Sequence, residues 1–221
     1  MKKTIISCVL FLTAVTAFSQ TPMKTAAEAK LSASDLAVKI ADRILATTTY
    51  EFKNTKTGKT YKSVKNLPLD MNVKVACKYN NWHYTNGVTH IALMELADKT
   101  GAKKYDDYVL KNMNFVFNEG NLDFFKKQYE QAMKNEGWYG VRKLSWHMIF
   151  RGKRLDDNGP MGASLIDLQM KHPNNSFLNY INETAEHLNY GEPRLADGTI
   201  ARIWPHENTI WADDAFMAIS F

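Results

Sequence analysis

Cysteine is scarce in this sequence, with two among 221 residues. Cys8 lies within an apolar N-terminal run, so cleavage of that run would leave Cys77 alone and exclude an internal disulfide. The chain also lacks the Gly-x-Ser-x-Gly motif, a P-loop and the glycine fingerprint of dinucleotide-binding folds, and so carries no signature of those enzyme classes. His83, His147 and His206 lack the i, i+4 spacing of a metal-binding helix, and we expect neither a metal site nor a cofactor.

The apolar run from Ile5 to Ala17 is too short to span a bilayer. It follows Lys2 and Lys3 and is followed by small residues, which is typical of a secretory signal peptide. We therefore predict a signal peptide at residues 1–19, export to the periplasm or beyond, and no membrane attachment after cleavage. The alternative is a buried hydrophobic helix.

The formal net charge of +5 falls by two when the predicted signal peptide is removed. The remaining basic excess is spread along the chain and does not form the clustered stripe that nucleic-acid binding requires. The charge therefore predicts no nucleic-acid partner and is compatible with an acidic sugar. The many aromatic residues suit either sugar stacking or a large helical core.

The first part of the mature chain has little periodic pattern. Residues 20–33 are predicted to be a flexible lead-in, and Ser34 is predicted to cap an amphipathic helix that carries Leu36 and Ile40 on its apolar face. Residues 50–72 are polar and rich in turn-forming residues, and are predicted to be a long loop.

From about residue 85 the apolar spacing predicts one helical hairpin after another. Successive helices are expected to end at Gly101, Gly120 and Gly137. Two more helices are expected: one begins after Pro160 and ends at His172, and the other runs from Phe177 to Gly191. A short hairpin around Asp197-Gly198 and a last helix capped by Thr209 complete the pattern. Strand signals are few, so the predicted fold class is all-α.

Three segments combine Trp, Gly and Asp at the predicted helix junctions: residues 81–88, 154–162 and 202–214. The second contains Asp156-Asp157 and the third contains Asp213-Asp214. If the junctions meet at one end of a helical barrel, they form a pocket with acids on its floor and rings on its walls, which suits glycoside processing. Each aspartate pair could instead serve a turn or a helix N-terminus, and Trp82 could be a core residue.

The three segments together resemble a known family in order and spacing. Trp82-His-Tyr-Thr-Asn-Gly-Val88, Leu155-Asp-Asp-Asn-Gly-Pro-Met-Gly162 and Trp211-Ala-Asp-Asp-Ala-Phe-Met217 are similar to segments of the unsaturated glucuronyl and rhamnogalacturonyl hydrolases. These enzymes form glycoside hydrolase families 88 and 105. The resemblance covers roughly residues 75–221.

The resemblance implies an (α/α)6 barrel and a substrate with a 4,5-unsaturated uronic acid at its non-reducing end, left by a polysaccharide lyase. The family hydrates the vinyl ether: an aspartic acid protonates C4, water adds at C5, and the hemiketal collapses. By position Asp213 corresponds to the proton donor and later base, and Asp156 or Asp157 to the second aspartate. Wall or substrate-binding positions are implied for Trp82, Trp204, Trp211 and His206.

The family members are longer than this chain. Residues 34–221 are therefore expected to form the N-terminal portion of the barrel, an incomplete barrel with little stability or activity by itself. Two other functions remain open: a non-catalytic helical scaffold that binds carbohydrate or protein, and an (α/α)6 polysaccharide lyase. A lyase would create the unsaturated chromophore that a hydrolase of this family consumes.

Overall fold

The computed structural model describes residues 32–117, 120–151, 155–203 and 205–219. The predicted signal peptide and residues 20–31 of the lead-in lie outside these ranges. Most described residues are helical, which confirms the all-α prediction. Among them, no helix combines the length and the apolar character needed to cross a membrane. In chain order the elements are α1 (Ala33–Thr47), β1 (Phe52–Asn54), β2 (Thr60–Tyr61), β3 (Val73–Val75), α2 (Tyr84–Thr100), α3 (Lys104–Phe117), α4 (Asn121–Val141), a 3-10 turn (His147–Phe150), α5 (Leu155–Lys171), α6 (Asn175–Glu186), a π-helical turn (His187–Gly191) and α7 (Ala212–Ile219).

Within the described ranges the chain separates into two units, one that ends at Ile40 and one that begins at Ala41. In the first unit, α1 begins one residue after Ser32. The Ser32 hydroxyl accepts the Asp35 N–H at 3.1 Å, and the Asp35 carboxylate accepts the Ser32 N–H at 3.2 Å. This reciprocal pair satisfies two backbone donors at the helix start. The predicted cap at Ser34 is therefore wrong, because Ser34 lies inside the helix.

In the second unit, the predicted helix ends are largely confirmed. Gly101 has φ of 71° and its N–H donates to Ala97 O, which ends α2 in the left-handed conformation that glycine adopts without strain. The α4 helix differs: it continues to Val141 through a kink at Gly137, where φ is 59°. Glycine therefore bends this helix where the sequence pattern predicts its end.

The predicted long loop at residues 50–72 is wrong in part, because it contains two strands of a small antiparallel sheet. The strand order is β2-β1-β3, and Phe52 pairs with Tyr61 on one side and Val75 on the other. The Gln128 side chain on α4 donates hydrogen bonds of 2.7 Å to the carbonyls of Asp70 and Val73. These long-range bonds fix strands that are too short to be evident from local alternation.

The α5 helix lies at the centre of the second unit and packs against α2, α6 and α7. The sequence predicts that this helix follows Pro160, but it begins at Leu155 and contains Pro160. Proline cannot donate the hydrogen bond to the carbonyl four residues earlier, so the helix loses one bond to Asp156 in its first turns. The segment predicted as a junction is therefore the start of α5, and it carries Asp156 on a helix.

Two glycines allow the helices around α5 to approach closely. A Cβ atom at Gly87 would collide with the backbone of Pro160 and Met161, and one at Gly159 would collide with the carbonyl of Met217. Glycine is thus required where α2 and α7 meet α5. These contacts fix the start of α5 relative to α7, the two helices that carry the aspartate pairs.

A buried histidine gives the fold a predictable acid sensitivity. His90 on α2 is 2% exposed, and neither ring nitrogen has a hydrogen-bond partner among the described residues. Desolvation by burial lowers the pKa of His90 from 6.5 to about 4. The unfolded chain therefore binds a proton between these pH values that the folded protein excludes, so stability falls as the pH decreases. We expect this group to lower the free energy of unfolding by about 2 kcal/mol between about pH 7.5 and about pH 5.

Denaturant titrations at the two pH values check the expected effect of His90. The variant His90→Leu keeps the volume of the side chain and removes the titrating group, so it should lose this part of the pH dependence. The exposed His206 provides the control, and His206→Gln should behave as the unchanged protein does. An equal loss of stability at about pH 5 in His90→Leu would show that burial of this imidazole is not the cause.

Candidate functional site

Arg202 joins the two sequence segments that contain the aspartate pairs. Its Nη2 donates to Asp156 Oδ1 at 2.8 Å, and its Nε donates to Asp214 Oδ1 and Oδ2 at 3.0 and 2.9 Å. We call this arrangement the arginine bridge: Asp156 on α5, Arg202 in the irregular segment before α7, and Asp214 on α7. A guanidinium that binds two carboxylates in this way fixes both their positions and their orientation.

Asp214 is the buried member of the arginine bridge. Its side chain is 4% exposed, compared with 17% for Arg202 and 26% for Asp156. Desolvation would raise the pKa of Asp214, but the hydrogen bonds from Arg202 and the Trp211 N–H outweigh it and hold the pKa below its usual value. Asp214 is therefore a carboxylate at neutral pH and depends on Arg202 for its charge balance.

The start of α7 explains why Asp214 turns inwards. The Trp211 N–H donates to Asp214 Oδ2 at 3.0 Å, and the Asp214 N–H donates to the Trp211 carbonyl at 3.0 Å. An acid three residues after the cap position closes the first helical turn in this way. The predicted cap at Thr209 is wrong: Thr209 lies before the helix, its hydroxyl donates to His206 O, and its backbone forms a β-bridge with Arg202.

Asp213, the predicted proton donor, is exposed. Successive helical residues point about 100° apart, so the inward turn of Asp214 directs its neighbour away from the bridge. Trp211 precedes both aspartates and is 43% exposed, and the Arg202 guanidinium lies 4.1 Å from its ring centre. Arg202 therefore positions Trp211, directly before α7, and the buried Asp214. Through the helix it also positions Asp213.

A histidine–glutamate pair lies beside the arginine bridge. His187 Nε2 and Glu192 Oε1 are 2.9 Å apart, with the glutamate side chain 9% exposed. Desolvation raises the pKa of Glu192, and the charges of Asp156 and Asp214 raise it further, while His187 opposes them. The segment that follows the π-helical turn thus adds a third carboxyl group to the electrostatic environment of the bridge.

The structure does not place all the predicted site residues together. Trp82 has no exposed surface and packs against Trp146 and Tyr180 in the core, so it cannot stack on a sugar, and the alternative interpretation as a core residue holds. His206 is exposed in the segment before α7. Trp204 lies outside the described residues, as does the side chain of Asp157.

Three residues of this region were not predicted from the sequence: Arg202, Glu192 and His187. Arg202 stands within the third predicted segment, but nothing in the local sequence pattern distinguishes it from the other basic residues of the chain. Its role depends on Asp156, 46 positions earlier in the chain. Among the described residues, no group of three or more His, Cys, Asp or Glu side chains is arranged to hold a metal ion.

A comparison with protein-family models shows the family of this chain. Residues 54–221 match the model described as Glycosyl Hydrolase Family 88. The match covers well over half of the chain, which therefore belongs to glycoside hydrolase family 88, and the helical architecture agrees with the all-α, barrel-like fold of that family. A search of curated proteins found no matching sequence. Family membership implies glycoside hydrolase activity on a carbohydrate that carries an unsaturated uronic acid.

Proposed function

We propose that this protein removes a 4,5-unsaturated uronic acid from the non-reducing end of lyase-generated oligosaccharides of the pectin or rhamnogalacturonan type. The observation that carries the proposal is the arginine bridge within the matched region. It connects the start of α5 to the start of α7, and so holds Asp156 and Asp214, one from each aspartate pair, on the same guanidinium. Such convergence of acids from two helices suits acid–base chemistry on a sugar.

The proposed reaction is hydration of the vinyl ether. The Asp213 carboxyl group donates its proton to C4, the electrons of the C4=C5 double bond form the new C–H bond, and the positive charge that develops at C5 is shared with the ring oxygen. Water then adds its oxygen to C5 and gives a proton to the Asp213 carboxylate. The hemiketal opens at the bond between C5 and the ring oxygen, and the hemiacetal at C1 releases the neighbouring sugar as an alcohol. The sum is the consumption of one water.

The residues around Asp213 receive roles that fit this reaction. Asp214 and Asp156 are both engaged by Arg202, whereas Asp213 is exposed and stands at the position that the family resemblance gives to the proton donor. Trp211 has one ring face against the guanidinium and the rest of its ring partly exposed, so we propose it as a wall of the subsite. His206 is exposed in the same segment and is proposed as a substrate contact.

We also propose that the protein is exported, with residues 1–19 as its signal peptide.

Absorbance of the conjugated double bond tests the proposed function. The purified protein is incubated with an unsaturated uronyl disaccharide, and a steady decrease of the absorbance with release of the second sugar is expected. Binding of the disaccharide without loss of absorbance would instead indicate a carbohydrate-binding scaffold. An increase of absorbance with intact pectin or rhamnogalacturonan would indicate a lyase. Either of these results would refute the proposal.

A further inference from the structure

Lysines are concentrated on the strands of the small sheet and in the segments that connect them, outside the sequence segments to which the proposed function assigns roles. Between positions 53 and 74 there is one acidic residue, Asp70, and its carboxylate is hydrogen-bonded by Asn54 and Asn72. Five of the lysines in this interval are exposed and the sixth is half-buried, and none makes an ion pair within the described ranges. We call them the lysine surface: Lys53, Lys56, Lys59, Lys62, Lys65 and Lys74. The prediction of a basic excess spread along the chain is therefore wrong for this interval, where the lysines are clustered.

The strand register places like charges opposite each other on this surface. Lys53 on β1 pairs with Lys74 on β3, on the outward face of the sheet, because the neighbouring Phe52 and Asn54 are buried. Like charges directly opposite each other destabilise an antiparallel pair. Folding therefore gives no reason for two lysines at these positions, whereas an anionic ligand would remove the repulsion.

The turn between β1 and β2 is held in one conformation. Asn54 Oδ1 accepts the N–H groups of Lys56 and Thr57 at 2.9 and 3.0 Å, and its Nδ2 donates to Asp70 Oδ2 at 2.9 Å. Gly58 supplies the φ of 75° that closes the turn. The backbone beneath the lysines is thus ordered, which lowers the entropic cost of binding an extended ligand.

The chemistry of the lysine surface favours an acidic polysaccharide over a nucleic acid. The exposed Thr57 and Thr60 stand between the lysines and offer hydroxyl groups next to ammonium groups. A polyuronate has the complementary pattern of carboxylates and ring hydroxyls at regular intervals. Single-stranded nucleic acids bind through aromatic rings on which bases stack. The aromatic residue on β2 is Tyr61, and Lys59 Nζ lies over its ring, 5.0 Å from the ring centre. That face of the ring is therefore covered by a lysine and is not open to a base.

We propose that the lysine surface binds a linear polyuronate chain as an anchoring site separate from the arginine bridge. This inference rests on the proposed function, because the polymer is the parent of the unsaturated oligosaccharides. Anchoring would keep the enzyme on the polysaccharide where lyases generate its substrate. Because the contacts are between exposed charges, binding should weaken steeply as the salt concentration rises.

Affinity electrophoresis of the full chain in gels that contain polygalacturonate tests this proposal. The variant Lys53→Gln/Lys74→Gln removes the opposed pair. The control Lys103→Gln/Lys134→Gln removes the same charge from two exposed positions, one directly before α3 and one within α4. We expect the first variant to lose affinity about tenfold at low salt and the control to lose less than about twofold. The first variant should remain folded, because it relieves a repulsion.

Equal losses in the two double variants, or no retardation of the unchanged protein, would overturn the proposal. So would equal or stronger binding to duplex DNA or to anionic lipid vesicles, which would indicate a different partner. Hydrolysis of the unsaturated disaccharide should be the same in both variants. If the protein proves inactive on the disaccharide, the proposed function fails. The difference in polymer affinity between the two variants still tests the anchoring site, because it does not depend on hydrolysis.

Discussion

Replacement of Asp213 by asparagine is expected to reduce turnover of an unsaturated disaccharide by about a thousandfold. The amide can neither donate the proton to C4 nor accept one from the attacking water. Because Asp213 is exposed and forms no part of the arginine bridge, the variant should unfold at the same denaturant concentration as the unchanged protein. Loss of the double-bond absorbance, measured with equal amounts of folded protein, checks the expected result.

Asp123 provides a matched control for this substitution. It is also an exposed aspartate in the first turn of a helix, α4, so Asp123→Asn removes the same charge from an equivalent local position. The control should retain full turnover, which would show that the loss at Asp213 does not come from a general change in charge. Undiminished turnover in Asp213→Asn would rule out this residue as the proton donor.

Replacement of Arg202 by methionine is expected to lower the free energy of unfolding by about 3 kcal/mol at neutral pH. The substitution leaves the Asp214 carboxylate, which is 4% exposed, without its partner in the interior. It also removes the group that holds Asp156 and packs on Trp211. Denaturant unfolding measures the stability, and turnover should fall as well, because the start of α7 loses its attachment to α5.

The double variant Arg202→Met/Asp214→Asn separates the cost of an unpaired charge from the loss of packing. We expect it to recover part of the stability, since it no longer buries a charge without a partner. The control is Lys143→Met, which breaks an ion pair with Glu136 in which both side chains are 40% or more exposed; it should change the stability by about 0.5 kcal/mol or less. An Arg202→Met variant as stable as this control would show that the bridge has no structural role.

Helix spacing and glycine positions predicted much of this fold because they are local properties. An apolar stripe every three or four residues decides whether a helix forms, and a left-handed glycine such as Gly101 decides where it ends. Predictions failed where distant residues decide the outcome. The strands at Phe52 and Val73 exist because they pair with each other and because Gln128 holds the backbone of the second.

The aspartate pair in α7 shows how far local reasoning reaches for the site. Helical geometry alone indicates that Asp213 and Asp214 point in different directions. It does not indicate which one turns inwards, because that depends on Arg202 and on the reciprocal bonds between Asp214 and Trp211. Trp82 is similar: its place in a motif says nothing about exposure, and the rings of Trp146 and Tyr180, far along the chain, enclose it.

The position of solvent oxygen in the open-chain product of the uronic acid tests the proposed hydration most directly. The reaction is run briefly in 18O-labelled water, stopped by borohydride reduction, and the product is fragmented in a mass spectrometer. A sample of product formed in ordinary water and exposed to labelled water for the same time corrects for exchange. Hydration of the vinyl ether predicts that the label is at C5, whereas label at C1 would mean ordinary cleavage at the anomeric carbon and would contradict the mechanism.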